Sequence, residues 1–172
     1  MTNTDLVESV AAWLREQTSE MRFYCQRQTK EEAPDGWKGI DVHAFSLARS
    51  AEARKKAPYI IVQPVHGTDE HAPGQEIQAR TVLRFVLAVY NPGDDEQEGA
   101  RVLMELIDRI RIALDRRVVV SDHKTKKPLF WVDLTDPPSW DFYHEQTQPF
   151  SVGWIESTWA IPAVKREVAE WL

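Results

Sequence analysis

With 172 residues, 27 acidic against 21 basic side chains and a formal net charge of −6, the chain has the length of one ordinary domain, and 1–172 is read as a single domain. That charge argues against a protein that wraps duplex DNA from outside, where clustered Lys and Arg must replace counterions. Hydrophobic residues are 42% and charged residues 28%, a balance neither disordered nor membrane-embedded, and no apolar run approaches the roughly 18 residues that span a bilayer.

Thr4 is the expected cap of a first helix, with Asp5 and Glu8 at its positive end and Leu6, Val7, Val10, Trp13 and Leu14 on one stripe. The start of the chain lacks the basic and apolar stretches of a signal peptide, and a lone cysteine, Cys25, fits a reducing compartment, so cytoplasmic assembly is expected. Residues 21–25 read as a short strand, Pro34-Asp35-Gly36 as a turn and 40–45 as a second strand; the basic run 49–56 fits either a short helix or a loop.

Residues 59–65 are β-branched and read as a strand, with Pro64 marking an edge or a bulge. Residues 66–75, bearing Gly67, Pro73 and Gly74, read as an exposed hairpin loop. A long strand follows over 76–90. Ile77, Ala79, Thr81, Leu83, Phe85, Leu87 and Val89 share one face, and the other turns from polar to apolar at Val86 and Ala88. That end is expected to be buried on both faces or covered by a partner.

The strongest helix follows Asn91-Pro92-Gly93. Asp94 with Gln97 resembles a capping box, the stripe is Ala100, Leu103, Leu106, Ile107, Ile110, Ala113 and Leu114, and Glu105 and Arg109 are spaced to pair. Residues 118–120 and 129–134 read as strands around a charged turn at 122–127, and 150–161 as a final long strand. Pro162 opens an expected terminal helix striped by Val164, Val168, Trp171 and Leu172. The order predicts an α+β fold: an antiparallel or mixed β-sheet with an N-terminal helix and a long amphipathic helix packed on one face.

Catalytic signatures are few. The seven glycines form no phosphate-binding loop, and neither G-x-S-x-G nor C-x-x-C occurs. His144-Glu145-Gln-Thr-Gln148 carries glutamine where a zinc protease needs its second histidine. His66, Asp69, Glu70 and His71 bring four ligand types into six residues, but on a Pro/Gly-bearing loop they read first as a solvated hairpin tip and only second as the metal site of a small hydrolase. A Ser-His-Asp set can be drawn from His123, Asp122 and a serine, as in any chain with five histidines. Seven tryptophans also raise a carbohydrate-binding module, yet Trp154 and Trp159 have opposite strand parity and cannot line one flat face. No enzyme activity, metal or cofactor is expected.

Pro58-Tyr-Ile-Ile-Val-Gln-Pro64, the acidic Gly67-Thr-Asp-Glu segment, the long strand ending at Tyr90 and the helix Gly99-Ala-Arg-Val-Leu-Met-Glu-Leu-Ile-Asp-Arg-Ile-Arg111 resemble the tail terminator (tail-completion) proteins of long-tailed phages. Pro128-Leu-Phe-Trp131 and Trp154-Ile-Glu-Ser-Thr-Trp-Ala-Ile-Pro162 extend the resemblance across residues 58–162. It implies a non-catalytic virion subunit that forms a hexameric ring at the head-proximal end of the tail. The ring stops tube polymerisation, binds the tail tube protein and offers a face to the head-tail connector, while DNA passes through its lumen unbound. A head-completion protein of the same neck is the alternative. His66, Asp69, Glu70, His71, Asp122, Lys124, Lys126, Lys127 and Trp171 are the expected partner-contact residues, and no membrane is involved.

Overall fold

The computed structural model describes residues 2–26, 35–47, 56–70, 78–116, 118–144 and 148–162. Its first element is α1, Asn3–Gln17. The cap is Thr2, two residues before the expected Thr4. Thr2 Oγ1 accepts the Asp5 backbone N–H at 3.3 Å, and Asp5 Oδ2 accepts the Thr2 N–H at 2.9 Å. This reciprocal arrangement needs an acid three residues beyond the cap; Thr2 has Asp5 there, whereas Thr4 has Val7. The expected stripe is buried, with Leu6, Val7, Val10 and Leu14 at 0% exposure.

Helix α2, Glu96–Asp115, is likewise capped one residue later than expected, by Asp95, whose Oδ1 accepts the Gln97 N–H at 2.9 Å. Leu103, Leu106, Ile107, Ile110 and Leu114 are fully buried, but Ala100 is exposed and Gly99 takes the inward position. A Cβ at Gly99 would stand 2.7 Å from Ser151 Oγ, so glycine permits the close approach of this turn. Arg109 donates to the Gln17 carbonyl at 3.3 Å, linking α2 to the end of α1.

The strands are β1 (Phe23–Tyr24), β2 (Trp37–Lys38), β3 (Asp41–Ala44), β4 (Tyr59–Glu70), β5 (Gln78–Tyr90), β6 (Val119–Ser121), β7 (Pro128–Val132), β8 (Ser139–Phe142) and β9 (Phe150–Pro162). β1 and β2 form a separate ladder. The main sheet runs β3-β4-β5-β9-β7-β6, with β8 also on β9. Among the described residues β3–β4 is the one parallel ladder, and the others are antiparallel. The fold is therefore α+β with a mixed, mostly antiparallel sheet.

Two strand expectations are corrected. β4 does not give way to a loop at His66 but continues to Glu70, because Thr81 to Gln78 of β5 offer a ladder to Gly67 through Glu70. A register shift between Pro64 and His66 absorbs the proline, as a bulge does. β8 was not anticipated behind Pro137-Pro138. It closes on β9 opposite Gly153, where a Cβ would lie 2.8 Å from the Asp141 carbonyl oxygen.

Both helices contribute to one core with Leu83, Phe85, Leu87 and Val89 of β5, Ile155 and Trp159 of β9, and Phe130 of β7. Trp159 is fully buried, donates its indole N–H to Ser157 Oγ at 2.9 Å, and meets the Trp13 ring edge-on at 6.1 Å. On the opposite face a smaller cluster gathers Ala57, Tyr59, Ile61 and Ala88 with Leu47, Val86, Tyr90, Phe150 and Val152. The apolar end of β5 is thus packed on both sides by the chain itself, with Val86 and Tyr90 half-buried on the smaller side. The expected helix after Pro162, with Trp171, lies outside the described residues, as do the run 49–55 and His71.

Candidate functional site

The charged turn between β6 and β7 forms as expected. Asp122 N–H donates to the Lys127 carbonyl at 2.9 Å, Lys126 N–H to the Asp122 carbonyl at 2.8 Å, and Lys126 takes a positive φ of 60° to close it. The side chains of His123 and Lys124 are turned onto α1. They grip the first two turns of α1, where residues 5, 8 and 9 share one helix face. Lys124 Nζ reaches Asp5 Oδ1 at 2.7 Å. His123 donates its backbone N–H to Ser9 Oγ at 2.9 Å, sets Nδ1 3.2 Å from that same oxygen, and places Nε2 2.8 Å from Glu8 Oε2. Asp122 is 4% exposed; its Oδ2 accepts the Thr125 N–H at 2.8 Å, and its Oδ1 faces His123 Nδ1 at 3.7 Å.

Hydrogen bonds shape the charges. The Lys124 ammonium, followed by Thr2, holds the Asp5 carboxyl at about 2, and Asp5 in turn raises Lys124. Hydrogen bonds from Thr125 hold Asp122 below the usual carboxylate range. Of the expected contact residues in this turn, Asp122 is buried and Lys124 is engaged on α1, while Lys126 and Lys127 are exposed. Sequence reasoning missed Glu8 and Ser9 because their partners lie more than a hundred residues away. Asp5 and Glu8 carried a local meaning at a helix start that concealed the distant one.

A serine does meet His123, but Ser9 is 1% exposed and already accepts a backbone N–H, so its oxygen is a structural acceptor and not a nucleophile open to substrate. His66 and Asp69 both lie on β4 at odd spacing, in unbroken register with Val82 and Ala79, and so point to opposite faces of the sheet. They cannot converge on one ion. Glu70 ends the same strand.

The tryptophans are also divided. Trp154 lies under the Arg84 guanidinium at 5.3 Å, and Trp159 is buried on the other face. Trp131 stands opposite Ala160, and Trp140 opposite Ile155; these two β9 positions have opposite parity, so the exposed tryptophans also face apart. Trp131, 47% exposed, and Val119, 56% exposed, stand directly opposite one another on the last two strands of the sheet. With Val132, Asp133, Leu134 and Thr135 they line an open groove of about 560 Å³. Asp133 anchors its polar side: Oδ1 accepts from Thr135 N–H at 3.0 Å, and Oδ2 pairs with Arg80 at 3.3 Å. No described helix is long and apolar enough to cross a membrane.

No family model matches the chain, and no curated protein matches it. One solved structure aligns with 94% of this chain and 94% of its own at a TM-score of 0.44 and 11% identity, a likeness too slight to bear on function.

Proposed function

We propose that this chain is a phage tail terminator, a structural subunit that closes into a hexameric ring on the head-proximal end of the tail tube, stops its growth and receives the head connector. The observation that carries the reading is the Val119–Trp131 pair, a half-exposed apolar strip beside a groove at the β6 end of the sheet. A subunit contact covers such a strip, and aromatic anchors in a groove dominate contact energies. The described sheet ends on two unlike strands, β6 and the parallel β3, so a head-to-tail contact between opposite ends is heterologous, and such contacts generate rings when the rotation closes. The order of motifs across residues 58–162 supports the same assignment. The net charge of −6 suits a lumen through which DNA slides. Assembly takes place in the host cytoplasm, and the finished ring belongs to the virion. The test is native mass over a wide concentration range with negative-stain images, alone and with tail tubes. Rings of about six subunits with a central hole, free or on tube tips, are expected. A monomer that leaves tube tips bare overturns the reading.

A further inference from the structure

We propose that Asp5, Asp122 and His123 form a binding site for one divalent transition-metal cation of the zinc class, joining the first turn of α1 to the β6–β7 turn. A carboxylate oxygen of each aspartate and a ring nitrogen of His123 all lie within 4.8 Å of one another. Ligands about 2.1 Å from a tetrahedral zinc stand roughly 3.4 Å apart, and the Asp122 Oδ1 to His123 Nδ1 separation of 3.7 Å is near that spacing.

The second observation is independent of the clustering. Asp122 has a side chain only 5% exposed, and its Oδ1 has no hydrogen-bond partner. A buried carboxylate oxygen without a donor is costly, and it faces the histidine ring. The state of that ring follows from Glu8. Glu8 Oε2 lies 2.8 Å from Nε2 and accepts its proton, so in the neutral imidazole Nδ1 carries the lone pair. Nδ1 has the Ser9 hydroxyl 3.2 Å away, so it is Asp122 Oδ1, 3.7 Å from the ring nitrogen, that lacks a donor and that a cation held between the two would satisfy. The carboxylate on the far nitrogen is also the usual support of a metal-binding histidine, fixing its tautomer and orientation.

Two groups compete with the ion. Lys124 pairs with Asp5, and because its side chain is 63% exposed its ammonium can exchange that carboxylate for water when the ion binds. The Ser9 hydroxyl lies 3.2 Å from Nδ1, and on losing that contact Ser9 Oγ still accepts the His123 N–H. One imidazole with two carboxylates suits zinc better than magnesium or calcium, which favour oxygen-only shells, and three protein ligands leave a position for water. This inference is independent of the tail-terminator reading.

The experiment is calorimetric titration of the tag-free, chelator-treated full chain with zinc sulfate, with magnesium sulfate as the comparison. One zinc per chain is expected, with no magnesium binding in the same range. Asp122→Asn, close in shape, is expected to weaken binding at least about tenfold, and Glu8→Gln by about 10–100-fold. Lys124→Met is expected to tighten it. Circular dichroism establishes that each variant is folded, and His123→Gln replaces any that is not. Absence of zinc binding up to millimolar concentration, or wild-type affinity in folded Asp122→Asn and Glu8→Gln, overturns the proposal.

Discussion

The two faces of the central sheet solve different problems. Under the helices, Leu83, Phe85 and Leu87 of β5 and Ile155 and Trp159 of β9 are all at 0% exposure. On the other face, the same two strands carry Arg84 bonded to Glu156 at 2.8 Å and stacked over Trp154, while Arg80 reaches Asp133. The first face is held by apolar area removed from water. The second combines a smaller apolar cluster around Tyr59, Ile61 and Ala88 with paired charges, and leaves the Val119–Trp131 strip half-exposed. The contrast separates what holds the fold together from what stays open to solvent.

The largest effect should come from the covered face. Trp159→Ala removes a buried indole that touches Trp13 and bonds Ser157, and truncations of this size cost about 3–5 kcal/mol. That is a large share of a typical domain's 5–15 kcal/mol, and urea denaturation should show a corresponding fall in the midpoint. A loss below about 1 kcal/mol would erase the energetic difference between the faces.

That face was also the legible one. Alternation along β5 and the stripes of α1 and α2 follow from burial on one side, and burial is written in residue type, while β9 alternates only partly and is marked by its Val, Ile, Thr and Trp content. Boundaries were read less well: the spacing of Thr2 and Asp5 is that of a capping box, which Thr4 with Val7 lacks, whereas Asp95 acts as a cap through geometry that neighbouring Asp94 equally suggests in sequence. β4 beyond Pro64 and all of β8 exist because β5 and β9 offer ladders, and a partner strand leaves no mark on the strand it recruits. The turn at 122–127 was visible, but its attachment to Glu8 and Ser9 was not, since contact across more than a hundred residues has no local periodicity.

A middle-sized effect belongs to the open face. Asp133 is held below its ordinary carboxylate value, first by Thr135 and then by Arg80. With the folded value depressed, its stabilisation is complete above the unfolded value of about 3.9 and is lost as pH falls through the lower folded one. Asp133→Asn should therefore cost about 1 kcal/mol at neutral pH, and the gap between the two proteins should begin to narrow below about pH 4 and close as pH falls through the lower folded value. Denaturation curves at several pH values would read this directly. A gap that persists unchanged at pH 2 would mean that shape, not charge, holds that corner.

The smallest effect on stability should carry the largest consequence for assembly. Trp131 is half-exposed on β7, opposite the exposed Val119, so Trp131→Ser should change the chain's own stability by no more than about 0.5 kcal/mol. If the strip is where subunits meet, the same change removes an aromatic anchor, whose loss at an interface costs about 2 kcal/mol or more, roughly a thirtyfold weakening of each contact. A closed ring repeats that contact at every junction, so the losses accumulate and rings should disappear from native mass spectra while circular dichroism stays unchanged. Ile112→Ser is the matched control: Ile112 is also a large apolar side chain, 54% exposed, but it sits on α2 over the covered face. Rings that survive Trp131→Ser, or that fail equally with Ile112→Ser, would break the link between the open face and assembly. Loss with Trp131 alone would tie the contact to the β6–β7 end of the sheet, because there the exposed apolar pair lines an open groove of about 560 Å³.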